Sequence, residues 1–207
     1  MVVFGQSPTG TKWAFVHIPK TGGTSVLAAL IPFLKEPKGP RVPPKGKLGW
    51  QNPWHRASAR RFTTQHDTVA STGGGVREFK GRLIFTVGRS PYSRFESLWN
   101  AFCPKHPPKP EDVLKASKRV RLCRPQVYWL EPLLSRVRIL RFENLAFEMM
   151  CLLLDLGYAL PENWQMPHEN SRPCRNNEFY YQEHGGLLRQ AVRSVYDKDF
   201  EWLSLKE

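Results

Sequence analysis

Hydrophobic positions along this chain fall into short β-prone runs separated by stretches with helical spacing. Trp13-Ala-Phe-Val-His-Ile18 is apolar and ends at Pro19, which predicts a buried strand over 13–18. A helix over 24–31 follows, with Thr24 or Ser25 as its cap and Pro32 near its end. Arg82-Leu-Ile-Phe-Thr-Val-Gly88 predicts a second strand, leading into a helix over 91–102. Val137-Arg-Ile-Leu-Arg-Phe142 predicts a third strand, followed by an apolar helix over 145–156. Leu188, Ala191, Val192, Val195, Tyr196 and Leu203 share a helical period, so a last helix is placed over 187–203. A short helix is also placed over 51–61.

Two stretches interrupt the pattern. Residues 35–49 hold four Pro, three Gly and five basic residues, and 103–112 is again Pro-rich; both read as mobile, solvated loops. No internal repeat is found. Strands that alternate with helices predict an α/β fold: a parallel sheet flanked by helices on both faces, in a single domain over residues 1–207. Ligands of such sheets bind beyond the carboxyl ends of the strands.

Composition adds a constraint on partners. With 31 Lys and Arg against 18 Asp and Glu, the formal charge is +13 and the isoelectric point about 9.9. Such a field favours anionic partners: nucleic acid, anionic glycans, a nucleotide cofactor or a membrane surface. The longest apolar run, residues 149–154, is far below the ~20 residues of a membrane-spanning helix, so no transmembrane segment is expected. The first ten residues lack a basic start followed by an apolar stretch, so no signal peptide is read and a cytoplasmic setting is the expectation. Cys103, Cys123, Cys151 and Cys174 form no Cys-x-x-Cys pair and read as reduced thiols rather than a zinc site.

Two segments carry the chemistry, both where a strand gives way to a helix. In His17-Ile-Pro-Lys-Thr-Gly-Gly-Thr-Ser25, glycines allow backbone N–H groups to converge on one anion, and the helix start behind them adds partial positive charge. Lys20 brings a full charge, and Thr21, Thr24 and Ser25 bring hydroxyls. In a Walker loop the lysine follows the glycines; here it precedes them. An ordinary strand–helix turn is the plainer alternative. In Val87-Gly-Arg-Ser-Pro-Tyr-Ser-Arg-Phe-Glu-Ser97, Arg89 stands at a strand end where its planar fork suits a phosphate, with Arg94 and Ser97 one to two turns on. Here the alternative is a helix start with solvated arginines.

Taken together, Pro19-Lys-Thr-Gly-Gly-Thr-Ser25 resembles the 5′-phosphosulfate loop of sulfotransferases, and Arg89-x-Pro91-x-x-Arg94-x-x-Ser97 resembles their 3′-phosphate motif. The wording is most similar to the carbohydrate-type branch, which includes proteins like heparan sulfate 2-O-sulfotransferase and many bacterial ones. Arg141-Phe-Glu-Asn-Leu145, Pro167-His-Glu-Asn-Ser171 and Tyr196-Asp-Lys-Asp-Phe200 extend the likeness, which spans residues 13–203. The resemblance implies a P-loop-like sheet and transfer of a sulfuryl group from 3′-phosphoadenosine 5′-phosphosulfate to an acceptor hydroxyl, a carbohydrate by the branch resembled. It implies in-line displacement without a required metal. By the same resemblance Lys20 meets the 5′-phosphate and bridging oxygen, Thr21, Gly22, Gly23, Thr24 and Ser25 form the cradle, and Arg89 and Ser97 hold the 3′-phosphate. Trp54-His-Arg-Ala-Ser-Ala59 resembles a stretch found between the two motifs in this branch, which makes His55 the expected general base, with His66 second.

Smaller expectations complete the reading. His17 orients the loop or packs beneath it, and Arg141 and Glu143 form an ion pair under the site. Asn170, Ser171 and Arg172 reach the cofactor or form a plain loop. Trp50 and Trp54 stack on a ring, while Trp99 belongs to the core. Basic stretches over 35–47 and 115–124 line a groove for an anionic acceptor or serve solubility. Two other classes stay open. A P-loop kinase is opposed by the lysine order and by strands that do not end in Asp. A non-catalytic polyanion-binding module fits the charge, but no nucleic-acid-binding motif is present, so nucleic acid is not expected as a partner.

Overall fold

The computed structural model describes residues 2–34, 68–72, 75–102, 107–168 and 186–204. Expectations for 35–49, the helix over 51–61, Trp50, Trp54, His55, His66, Asn170, Ser171 and Arg172 lie outside these residues.

Four strands form one sheet in the order β1 (Val2–Gln6), β2 (Lys12–Val16), β3 (Leu83–Gly88) and β4 (Val137–Arg141). The last three are parallel to one another, as the pattern predicts. β1 corrects the expectation of a wholly parallel sheet: it pairs antiparallel with β2, Val3 opposite Phe15 and Gly5 opposite Trp13. Ser-Pro-Thr-Gly supplies the turn between them, and Gly10 takes a φ of 86° as Ser7 N–H donates to Thr11 O at 2.9 Å. An edge strand needs only one neighbour, so a tight hairpin suffices where parallel partners need a crossover.

Alternation along the strands separates two cores. Val3, Trp13, Phe15, Phe85, Val87 and Leu140 face α1 (Gly23–Leu30) and, later in the chain, an apolar helix over Leu145–Asp155. Val2, Ala14, Val16, Ile84 and Val137 face the other way, onto Phe79, Trp129, Leu130 and Trp202. Helices therefore cover both faces, and only the hairpin departs from the predicted layering.

The helix over Pro91–Phe102, α2, keeps its predicted bounds. α3 (Pro110–Arg119) occupies ground read as Pro-rich loop and basic stretch. Pro110 sits at its first turn, Lys109 N–H donates to the Asp112 carboxylate at 3.0 Å, and Lys118 and Arg119 close its last turn. α4 is one turn, Val127–Leu130, and α5 is the apolar helix Leu145–Asp155. The final helix is broken at Tyr196 into α6 (Leu187–Val195) and α7 (Asp197–Ser204). Tyr196 is buried and donates to Cys123 O at 2.7 Å, which turns the chain inward there. α2, α3 and α6 share a satellite core of Phe95, Val113, Leu188, Val192 and Tyr196, with Trp99 at its edge. Among the described residues, no helix is long and apolar enough to cross a membrane.

Tyr158 closes the hairpin side. Its hydroxyl accepts from Trp13 Nε1 at 3.1 Å and donates to Gln6 O at 3.2 Å, with Trp13 fully buried. Tyr158→Phe strands that indole N–H, and urea unfolding should show a loss of ~1–3 kcal/mol with an unchanged slope. An unaltered midpoint would mean the hydroxyl contributes nothing.

Candidate active site

The carboxyl ends of β2 and β3 lie side by side, Val16 opposite Thr86. The Thr86 hydroxyl, fully buried, donates to Val16 O at 2.6 Å, tying the strands together at the point where their loops diverge. β2 continues into Ile18, Pro19 and the glycine turn, while β3 continues through Gly88 to Arg89. Both chemical motifs therefore leave the sheet at one edge.

The glycine turn is set by packing from below. Lys20 is exposed with a φ of 65°, and Gly22 caps α1 with a φ of 84°. A Cβ on Gly22 would stand 3.1 Å from both Phe142 and Leu145, so neither its conformation nor its space suits another residue. At Gly23 a Cβ would meet the His17 ring at 1.9 Å. His17, stacked on Phe15, thus acts as the packing and loop-orienting residue expected of it. Ser25 and Val26 N–H both donate to Gly22 O, closing the first turn. Among the described residues, the amides of Gly22, Gly23 and Thr24 meet no acceptor, and they open the N-terminus of α1. Such an arrangement suits an anion: N–H donors at a helix start, the helix dipole behind them, and an exposed lysine before them.

Not every expected donor faces it. Thr21 is buried and its hydroxyl donates to Ile18 O at 3.0 Å, so its side chain braces the loop. The Ser25 amide is committed to the turn, and Thr24 and Ser25 are half-buried.

Arg89 joins the two motifs. Its Nη1 donates to Lys20 O at 3.1 Å, its Nε donates to Ser93 Oγ at 3.0 Å, and its guanidinium lies 4.0 Å over the Phe142 ring. Phe142, just beyond β4, therefore touches Gly22 on one side and carries Arg89 on the other. Ser97 is half-buried one turn beyond Ser93 on α2, and the hydroxyl bonded to the Arg89 side chain is that of Ser93.

Arg94 is not a solvated charge. It is 1% exposed, and its three donor nitrogens reach main-chain carbonyls: Nε to Pro19 O, Nη1 to Arg124 O and Nη2 to Leu122 O, each at 3.0 Å. Burial pulls its pKa down, and the nearby Asp199 carboxylate opposes that pull. Asp199 is itself fully buried; burial pushes its carboxyl up, against Arg94 and the N–H groups of Gln126 and Val127. Burial likewise raises the Tyr196 hydroxyl, which stays a neutral donor.

The expected ion pair of Arg141 with Glu143 is not formed, and Glu143 is exposed. The basic stretch 115–124 is the end of α3 and the turn after it, with Arg121 over Trp129 and Arg124 over Tyr128. Phe142, Ser93, Gln126 and Asp199 were not singled out by sequence reasoning. Ser93 had a signal in its place four residues after Arg89 at a helix start, and Phe142 and Asp199 stood within the segments 141–145 and 196–200 that extend the likeness. No family model, curated protein or solved structure matches this chain.

Arg94→Lys keeps a charge but cannot span three carbonyls. Thermal or urea unfolding should register a loss of ~2–4 kcal/mol. Wild-type stability in this variant would show that the three contacts are dispensable.

Proposed function

We propose that the chain is a sulfotransferase, moving a sulfuryl group from 3′-phosphoadenosine 5′-phosphosulfate to an acceptor hydroxyl, with a carbohydrate as the acceptor class. One observation carries the reading: the Arg89 guanidinium donates to Lys20 O, so the two motifs that resemble the phosphate-binding segments of that family meet at one sheet edge. The cradle also suits the group chemically. Free amides, a helix N-terminus and Lys20 answer a 5′-phosphate, and a second cationic fork at Arg89 answers a 3′-phosphate.

The cofactor, when bound, supplies an activated sulfuryl group on a phosphate leaving group. The chain's residues then have separable tasks. Amides of Gly22, Gly23 and Thr24 hold the 5′-phosphate without reorganising, because Phe142, Leu145 and His17 fix the turn from beneath. Lys20 sets positive charge where negative charge grows as the phosphate departs, and its strained backbone aims it from the loop's outer side. Arg89 reads the 3′-phosphate and so separates this cofactor from ATP. His55, outside the described residues, is assigned the base that takes the acceptor's proton. The net charge of +13 favours an acceptor that is itself anionic.

Calorimetric titration with adenosine 3′,5′-bisphosphate, beside ATP with Mg²⁺, tests the assignment. Binding of the bisphosphate in metal-free buffer, weakened at least ~10-fold by Arg89→Ala, is the expected result. Preference for ATP with Mg²⁺ would replace it with a kinase, and binding of neither would point to a polyanion-binding module. Lys20→Ala should cut turnover ~10²–10³-fold with little change in bisphosphate affinity, because its charge matters most in the transition state. Equal losses in rate and affinity would contradict that role. His55→Ala should abolish transfer and leave bisphosphate affinity unchanged; retained turnover would move the base elsewhere.

A further inference from the structure

Arg89 is held by more than its own side-chain contacts. Gln126, fully buried at the start of α4, meets the Arg89 backbone with both ends of its amide. Its Oε1 accepts from Arg89 N–H at 3.0 Å, and its Nε2 donates to Arg89 O at 2.8 Å. This two-point contact imitates a neighbouring strand just where β3 has ended at Gly88.

A side-chain amide can sit either way round in such a contact, and only one orientation satisfies both Arg89 groups. Asp199 of α7 selects it. One carboxylate oxygen accepts from Gln126 N–H at 2.7 Å and lies 3.5 Å from Gln126 Nε2. The other accepts from Val127 N–H at 3.0 Å. A carboxylate attracts the amide nitrogen and repels its oxygen, so Oε1 must turn to Arg89 N–H. The backbone of Arg89 is thereby fixed, and Ser93 Oγ takes the Nε of its side chain.

We infer that Gln126, oriented by Asp199, and Ser93 are positioning residues that aim the Arg89 guanidinium and so set selectivity for a nucleotide 3′-phosphate. The inference rests on the reading of Arg89 in the proposed function. It assigns α7, whose Asp199 lies 73 residues beyond Gln126 in sequence, a part in ligand choice. A chain of hydrogen bonds runs from buried Asp199 through Gln126 and Arg89 out to the Lys20 carbonyl at the surface. Gln126 holds the Arg89 backbone at two points, and the Arg89 fork is held in turn by Ser93 and the Lys20 carbonyl, so losing the Gln126 contact frees the base from which the fork is aimed.

The test compares affinities for adenosine 3′,5′-bisphosphate and adenosine 5′-monophosphate in the full chain, with Gln126→Met and Ser93→Ala beside wild type. A merely structural role would lower both affinities together. Positioning predicts that Gln126→Met loses at least ~10-fold of the preference for the bisphosphate, with monophosphate affinity within ~2-fold. Ser93→Ala, at a half-buried helix position, should lose ~3-fold or more and keeps the test open should Gln126→Met not fold. An unchanged preference in either folded variant overturns the assignment to the residue it replaces. A wild-type protein without preference for the bisphosphate overturns the reading of Arg89 itself, and this inference with it.

Discussion

A guanidinium taken wholly out of water needs an acceptor for each of its donors, and Arg94 finds three of them on main-chain carbonyls. One belongs to Pro19 at the root of the glycine turn; the other two belong to Leu122 and Arg124, on the segment that leads into Gln126. The cradle loop, the start of α2 and the 122–124 turn therefore cannot move independently. Asp199 supplies the compensating negative charge from α7 and holds the start of α4 by two backbone N–H groups. The root of the glycine turn and the start of α4 are both held by those two buried charges and their main-chain partners. Apolar residues of equal volume could fill the space, but they would leave the carbonyls unmet.

Phe142 performs a related task by packing. It is the first residue past β4, yet it contacts the turn after β2 and carries the arginine after β3. Three consecutive strand ends thus share one ring. The Arg89 guanidinium lies on an aromatic ring and bonds the backbone of exposed Lys20, so the two motifs are joined through packing and a main-chain contact.

The layered part of the fold was legible because its signals are local. β2 and β3 read as apolar runs ended by Pro or Gly, β4 as a β-prone run before a helix, and α2 and α5 announced themselves by period and by their starts. β1 was not predicted, although Val2-Val-Phe followed by Ser-Pro-Thr-Gly is a hairpin signal. α3 was obscured by the prolines before it, which serve as a helix start rather than a break. In the candidate site, Lys20, Gly22, Gly23 and Arg89 were visible because turn chemistry and charge are written at fixed spacing. Arg94 was visible as a residue but not as a buried one. Gln126 carries no local mark, and the segment 196–200 marks Asp199 without naming its partner, since their roles arise from contacts 37 and 73 positions apart. Such pairings belong to the tertiary fold, and a single sequence does not display them.

The central claim is that the glycine turn and Arg89 form one anion-binding site. A crystal structure of the protein with adenosine 3′,5′-bisphosphate tests it most directly. The account predicts the 5′-phosphate on the amides of Gly22, Gly23 and Thr24 beside Lys20, with the 3′-phosphate on the Arg89 guanidinium. A bisphosphate bound elsewhere, or one whose 3′-phosphate points away from Arg89, would contradict it.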